Sequence, residues 1–159
     1  MDMNKGQSRI EKVHGRHAAL TCEALRAGAG GRYGFLIEAA AAIPPGPGSP
    51  HPGYSWNLKT ALSLDDNEIY ALGALLSGSI RRLRLQRSHG KYVELTTQDD
   101  GFVLKTSASN APSLVVPVTR PAAARVLGLV QLVLLRRQPW LTVDQIMRNL
   151  RRAYTPFQD

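Results

Sequence analysis

Cysteine is nearly absent: Cys22 is the single one in a chain of 159 residues. That excludes an intrachain disulfide framework and a cysteine-based zinc site, and it fits a reducing compartment. The simplest role for Cys22 is that of a small buried apolar side chain. Aromatic residues make up only 6%, so each ring raises the question of what it packs against. Long apolar runs are missing as well. The longest, Val126 to Leu135, is interrupted by Gly128 and Gln131 and falls far short of the ~20 residues that span a bilayer. Met1 to Arg16 has no apolar stretch of the secretory kind, and Asp2 and Glu11 spoil an organelle transit pattern. A cytoplasmic protein with no membrane partner is therefore expected. Acidic residues are in deficit: Asp+Glu 12 against Lys+Arg 20 gives a net charge of +8, and 15 of the 20 basic residues are Arg. Such a surplus suggests a polyanionic partner. The hydrophobic fraction of 43% is ordinary for a globular chain, and the length corresponds to one domain at the usual ~150 residues per domain.

Along the chain, residues 1–9 read as a flexible N-terminus, 10–140 as one folded domain and 141–159 as a basic helix and tail. Ile10 to Ala27 is strand-like, Gly28 to Gly31 make a turn, and Tyr33, Phe35 and Ile37 alternate on one face of the next strand. Pro44 to Gly53 holds five prolines and reads as an exposed loop. Tyr54 to Leu64 alternates almost perfectly and predicts one strand, with Tyr54 and Trp56 on its apolar face. Asp65 and Glu68 have the spacing of a reciprocal N-cap, and Ile69, Leu72, Leu75 and Leu76 follow at helical spacing. Four strands come next, Ile80–Arg87, Tyr92–Thr97, Phe102–Ser107 and Leu114–Val118, joined by turn-forming segments and so arranged as an antiparallel meander. Thr119 and Pro121 open a second helix that reaches Arg136-Arg137, and Thr142 opens a last one. The fold class is α+β, with strands, helix, strands, helix in two similar halves.

Catalytic signatures are weak. Gly28-Ala29-Gly30-Gly31 lies between strands and not ahead of a helix, so it does not match a phosphate-cradling loop. His14 and His17 have no partners that complete a metal set. Asp65, Asp66 and Glu68 are explained by capping and the helix dipole. No catalytic residue, metal or cofactor is expected. Nucleic-acid binding has more support. With Leu83 and Leu85 on one face of their strand, Arg82, Arg84 and Gln86 line the other, Arg87 and Lys91 flank the turn, and Tyr92 points the same way on the next strand. Cations beside an exposed ring suit a single strand, with phosphates on the cations and a base on the ring; a merely solvated strand face is the plain alternative. Charge by segment is +3 for residues 1–64, 0 for 65–119 and +5 for 120–159. The last surplus attracts nucleic acid or caps two helix ends.

Three short motifs, in order, resemble a known family. Gly15-Arg16-His17-Ala18-Ala19-Leu20 is similar to a Lys-Gly-Lys-Ala-Ala-Leu motif. Tyr54-Ser55-Trp56, leading to Leu62-Ser63-Leu64 and a helix start at Glu68-Ile69, is similar to a Tyr-Asp-Trp motif. Val116-Pro117-Val118-Thr119 then precedes an apolar helix that ends at Pro139-Trp140. Together they span roughly residues 13 to 140 and resemble Whirly-type single-stranded-nucleic-acid-binding proteins, which share a broad fold group with the guide-RNA-binding proteins of trypanosome mitochondria. The resemblance implies two antiparallel sheets, tetramers joined through helices, and single strands lying across the sheets. It places Arg16 and His17 in the motif's basic part; His17 stands at the second lysine, and a mostly neutral imidazole is a weaker phosphate contact. The composition suits a bacterial relative.

The expected function is thus binding of single-stranded DNA, or RNA, with low sequence specificity and no catalysis. Arg16, His17, Lys59, Arg82, Arg84, Arg87 and Lys91 are the expected phosphate contacts, and Tyr33, Tyr54, Trp56 and Tyr92 the candidate stacking rings. Tyr54 and Trp56 are equally well read as core. A transcription regulator acting mainly through protein partners is the alternative. The helix Ala122 to Leu135 is apolar nearly all round and must be buried on more than one side. Identical protomers in a homotetramer, or the final helix folding back, are the two covers considered.

Overall fold

The computed structural model describes residues 9–26, 32–48 and 53–154. The expected flexible start at residues 1–8, the glycine turn at 28–31, residues 49–52 of the proline loop and the tail beyond Tyr154 lie outside the described residues. The architecture is α+β, with two antiparallel sheets and, among the described residues, three helices. The first sheet holds β1 (Arg9–His14), β2 (Ala18–Arg26), β3 (Tyr33–Ile43), β4 (Gly53–Tyr54) and β5 (Thr60–Leu64), with both β4 and β5 paired to β3. Helix α1 (Asp66–Leu76) leads to the second sheet, a meander of β6 (Arg82–Gln86), β7 (Tyr92–Gln98), β8 (Gly101–Ala108) and β9 (Ala111–Thr119). Two helices close the fold, α2 (Arg120–Arg137) and α3 (Val143–Tyr154).

Two expected elements differ in instructive ways. The strand-like stretch from Ile10 is two strands, folded at Gly15-Arg16-His17, where Gly15 N–H donates to Ala18 O at 2.9 Å. A Cβ on Gly15 would lie 2.8 Å from that same oxygen, so the turn requires glycine. The alternating stretch Tyr54–Leu64 is not one strand. Tyr54 pairs with Ala42, and Thr60 with Ala39, so residues 55–59 stand opposite only residues 40 and 41. The surplus is thrown out as a 3-10 turn, Trp56–Leu58. Trp56 therefore leaves the strand, and its ring and that of Tyr54 do not share an apolar strand face.

The local signals at the helix starts hold. Asp65 Oδ1 accepts from Glu68 N–H at 2.8 Å while Glu68 Oε1 accepts from Asp65 N–H at 3.0 Å, a complete capping box. Thr142 and Gln145 form a second one at α3. Inner-face residues of both sheets, among them Leu20, Phe35, Ile37, Leu85, Leu95, Leu104 and Val116, enter one buried cluster with Ile69, Val130, Val133, Ile146 and Leu150 of the helices. Helix α2 packs against β1, β2 and β3 of one sheet and β8 and β9 of the other, and against α1 and α3. Val126, Leu129, Val130, Val133 and Leu134 are thereby buried within one chain, while Leu127, Leu132 and Leu135 stay half-buried and Ala124 and Gly128 are exposed. Close helix approach occurs at Gly73 of α1, where a Cβ would meet Leu150 Cδ1 at 2.5 Å.

Candidate nucleic-acid interface

The exposed face of the four-stranded sheet is set by strand parity. Leu85, Val93, Leu95, Leu104 and Val116 turn inward, so their neighbours turn outward. Register then places Arg84 opposite Glu94, Glu94 opposite Lys105, and Gln86 opposite Tyr92. The Arg84 guanidinium lies 4.1 Å above the Tyr92 ring centroid, within cation–π range. Arg82 donates to Glu94 Oε2 at 2.9 Å, and Arg84 lies 3.8 Å from the same oxygen. Hydrogen bonding from Arg82, reinforced by the charges of Arg82, Arg84 and Lys105, holds the Glu94 carboxyl below its ordinary value against the opposing effect of burial. Three cations against one carboxylate leave this face positive. Lys105 is a functional candidate that the reading of single strands passed over; the alternation of β8 displays it directly opposite Glu94.

Arg16 and His17 are exposed on the β1–β2 turn. With Ser113, Val115 and Pro117 of the edge strand β9 they line a groove of about 430 Å³. This groove joins the turn to the outer side of the second sheet, so Arg16 and His17 lie at one border of the arginine-bearing surface and β6 at the other. Val115 is 51% exposed within it.

The remaining candidates are placed elsewhere. Arg87 does not join the arginine face: its two terminal nitrogens donate to both carboxylate oxygens of Glu68 at 2.7 and 2.8 Å and to Ser63 O at 2.7 Å, tying the second sheet to the start of α1. That hydrogen bonding raises its already high pKa. Lys91 is half-buried at the β6–β7 turn, beside the face and not on it. Tyr33 lies on the inner parity of β3 with Phe35 and Ile37; Arg136 sits 5.8 Å over its ring, and its carbonyl accepts from Arg137 Nε at 2.7 Å. It packs on the core and not on the arginine face. Asp65, Asp66 and Glu68 do more than cap: besides Glu68–Arg87, Asp66 pairs with Arg137 and with Arg32.

On the first sheet the outer face carries its own cluster. Tyr54 stacks on His14 with ring centroids 5.3 Å apart and planes 16° from parallel, and its hydroxyl donates to Gly15 O at 3.0 Å. Trp56 lies next to it, 6.3 Å between centroids. Lys59 is paired with Glu38. Cys22 is on the other, inner face; burial, with a further push from Glu11, raises its thiol to about 12, so it is not a nucleophile at neutral pH.

The fold and this face define a two-sheet α+β scaffold displaying cations and rings on exposed strand surfaces. The chain is similar to the solved structure of Trypanosoma brucei MRP1/MRP2, with a TM-score of 0.55 and 14% identity over 86% of this chain and all of that one. At that identity the likeness is a distant relation of fold. No protein-family profile and no curated protein sequence matches the chain. Among the described residues no helix is long and apolar enough to cross a membrane.

Proposed function

We propose that this chain binds single-stranded nucleic acid, DNA first and RNA by the same contacts, with low sequence specificity and without catalysis. The observation that carries the reading is the cluster Arg82, Arg84, Lys105 and Tyr92 on one exposed sheet face, continued through the groove at Arg16 and His17. Guanidinium and ammonium groups there meet phosphates, and the Tyr92 ring, once Arg84 swings off it, takes a base at about 1–3 kcal/mol. The distant fold relation to MRP1/MRP2 is consistent with nucleic-acid binding; the ordered motifs alone are the ground on which we further group the chain with Whirly-type proteins, as a bacterial homotetramer of the cytoplasm. Of the expected phosphate contacts, Arg87 and Lys59 are engaged in internal ion pairs, and of the expected stacking rings Tyr33 packs on the core.

An electrophoretic shift with a single strand and its duplex is the test. Preference for the single strand is expected, with log affinity falling by about 0.7 per log unit of salt for each phosphate neutralised. Replacing Arg82 and Arg84 together by Ala should flatten that slope. An unchanged slope and affinity would make the face a solvated surface only.

A further inference from the structure

The outer face of the five-stranded sheet carries an open groove of about 310 Å³ whose chemistry differs from that of the arginine face. Its walls include the rings of Trp56 and His14 and four charged side chains, Lys12, Lys59, Glu23 and Glu38. Two positive and two negative charges cancel, so the groove is no phosphate track. Lys59 and Glu38 are already paired with each other. Lys12 and Glu23 face the groove from adjacent strands, and neither has a hydrogen bond or ion pair within the described residues. The tyrosine beyond His14 is pinned by its hydroxyl to Gly15 O, which holds the aromatic end of the groove in place without help from a ligand.

We infer that this groove is a subsite for one base of the bound strand, and that the carboxylate of Glu23 makes it prefer bases with an exocyclic amino donor. The inference rests on the single-strand reading above. A ring wall takes the flat face of any base. A free carboxylate on the same wall accepts from an amino group such as cytosine N4 but repels the carbonyl that uracil and thymine present at that position. Lys12 is left to meet the flanking phosphate. The discrimination acts at one base among those bound, so it is a modest preference laid over sequence-tolerant contacts.

Oligo-dC and oligo-dU differ at this ring edge and are the probes, titrated at pH 7.5 into the full chain carrying Trp140→Phe. Trp140 is 73% exposed, so its replacement leaves Trp56 as the one reporting indole. Quenching of Trp56 by both oligomers is expected, with oligo-dC bound about fivefold more tightly, the low end of what one such contact supplies. Glu23→Gln, which can donate as well as accept, should bring the ratio close to one while Trp56 quenching persists. If the oligomers bind with equal affinity, if Trp56 emission is unmoved on binding, or if the ratio survives Glu23→Gln, the inference is overturned and the single-strand reading stands. If neither oligomer binds, the single-strand reading itself falls.

Discussion

Glu94 sits in the middle of the arginine face, its side chain 12% exposed, and touches both Arg82 and Arg84. A carboxylate there holds the two guanidiniums in a defined fork and also cancels one of the charges that a phosphate would meet. Because the pairs are near the surface, their contribution to stability is small, and the effect on ligand charge decides the outcome. Glu94→Gln should therefore raise affinity for a single strand at low salt severalfold and steepen the salt slope by about 0.7 for one more phosphate engaged. Weaker binding would mean that positioning by Glu94 outweighs its charge. The carboxyl is held below the ordinary glutamate value, so the fork is complete above the unfolded-state pKa of ~4.3 and is lost only as pH falls through the lower folded value. The gain from Glu94→Gln should thus be constant through neutral pH and vanish in acid, where the native carboxyl is protonated too; a titration of affinity against pH reads this.

At the scale of elements, α1 is the hub. Its first turn receives Arg87 from the second sheet, Arg137 from the end of α2 and Arg32 from the start of β3, and its middle admits α3 at Gly73. Burial, with the nearby Arg32 charge, lowers the Arg137 pKa, which marks how far that end of α2 is drawn into the fold. The two helical glycines contrast sharply. A Cβ at Gly73 would sit 2.5 Å from Leu150 Cδ1 and 3.4 Å from Val130 Cγ1, whereas at Gly128 it would meet nothing within 4 Å. Gly73→Val should cost about 1–3 kcal/mol by overpacking a closed contact. Gly128→Ala should gain up to about 1 kcal/mol from helix propensity alone. Urea denaturation checks both, and a destabilising Gly128→Ala would reveal a partner helix lying against that side of α2.

For the whole molecule the question is what covers α2. Its apolar circumference led to two accounts, neighbouring protomers or a final helix folded back. In the structure α1, α3 and both sheets supply the cover, and Ile146 and Leu150 of α3 are buried in the same core as the sheets. Leu127, Leu132 and Leu135 stay half-buried beside the exposed Ala124 and Gly128, so most of the cover comes from within the chain and the homotetramer rests mainly on the family resemblance. Light scattering at low micromolar concentration should give a mass near four chains of 17.4 kDa. A single-chain mass would remove the tetramer while leaving the arginine face, which one protomer completes, able to bind.

What the sequence by itself determined were features whose partners lie within a few residues. The Asp65–Glu68 box needs only a spacing of three, the meander β6 to β9 needs short turns, and the outward line of Arg82, Arg84 and Tyr92 follows from strand parity once the apolar positions are known. Tertiary structure decided the rest, because the deciding contacts join distant segments. Arg87 reads as a surface cation until Glu68, 19 residues earlier, is folded against it. The alternation of Tyr54–Leu64 reads as one strand until β3 offers two residues opposite five, and the excess must leave the sheet. Gly73 has no local signal, since its contact is a leucine 77 positions later. The groove that unites Arg16 and His17 with Pro117 exists only where the β1–β2 turn comes against β9: a strand's own pattern tells which way a side chain points, and only packing tells what it meets there.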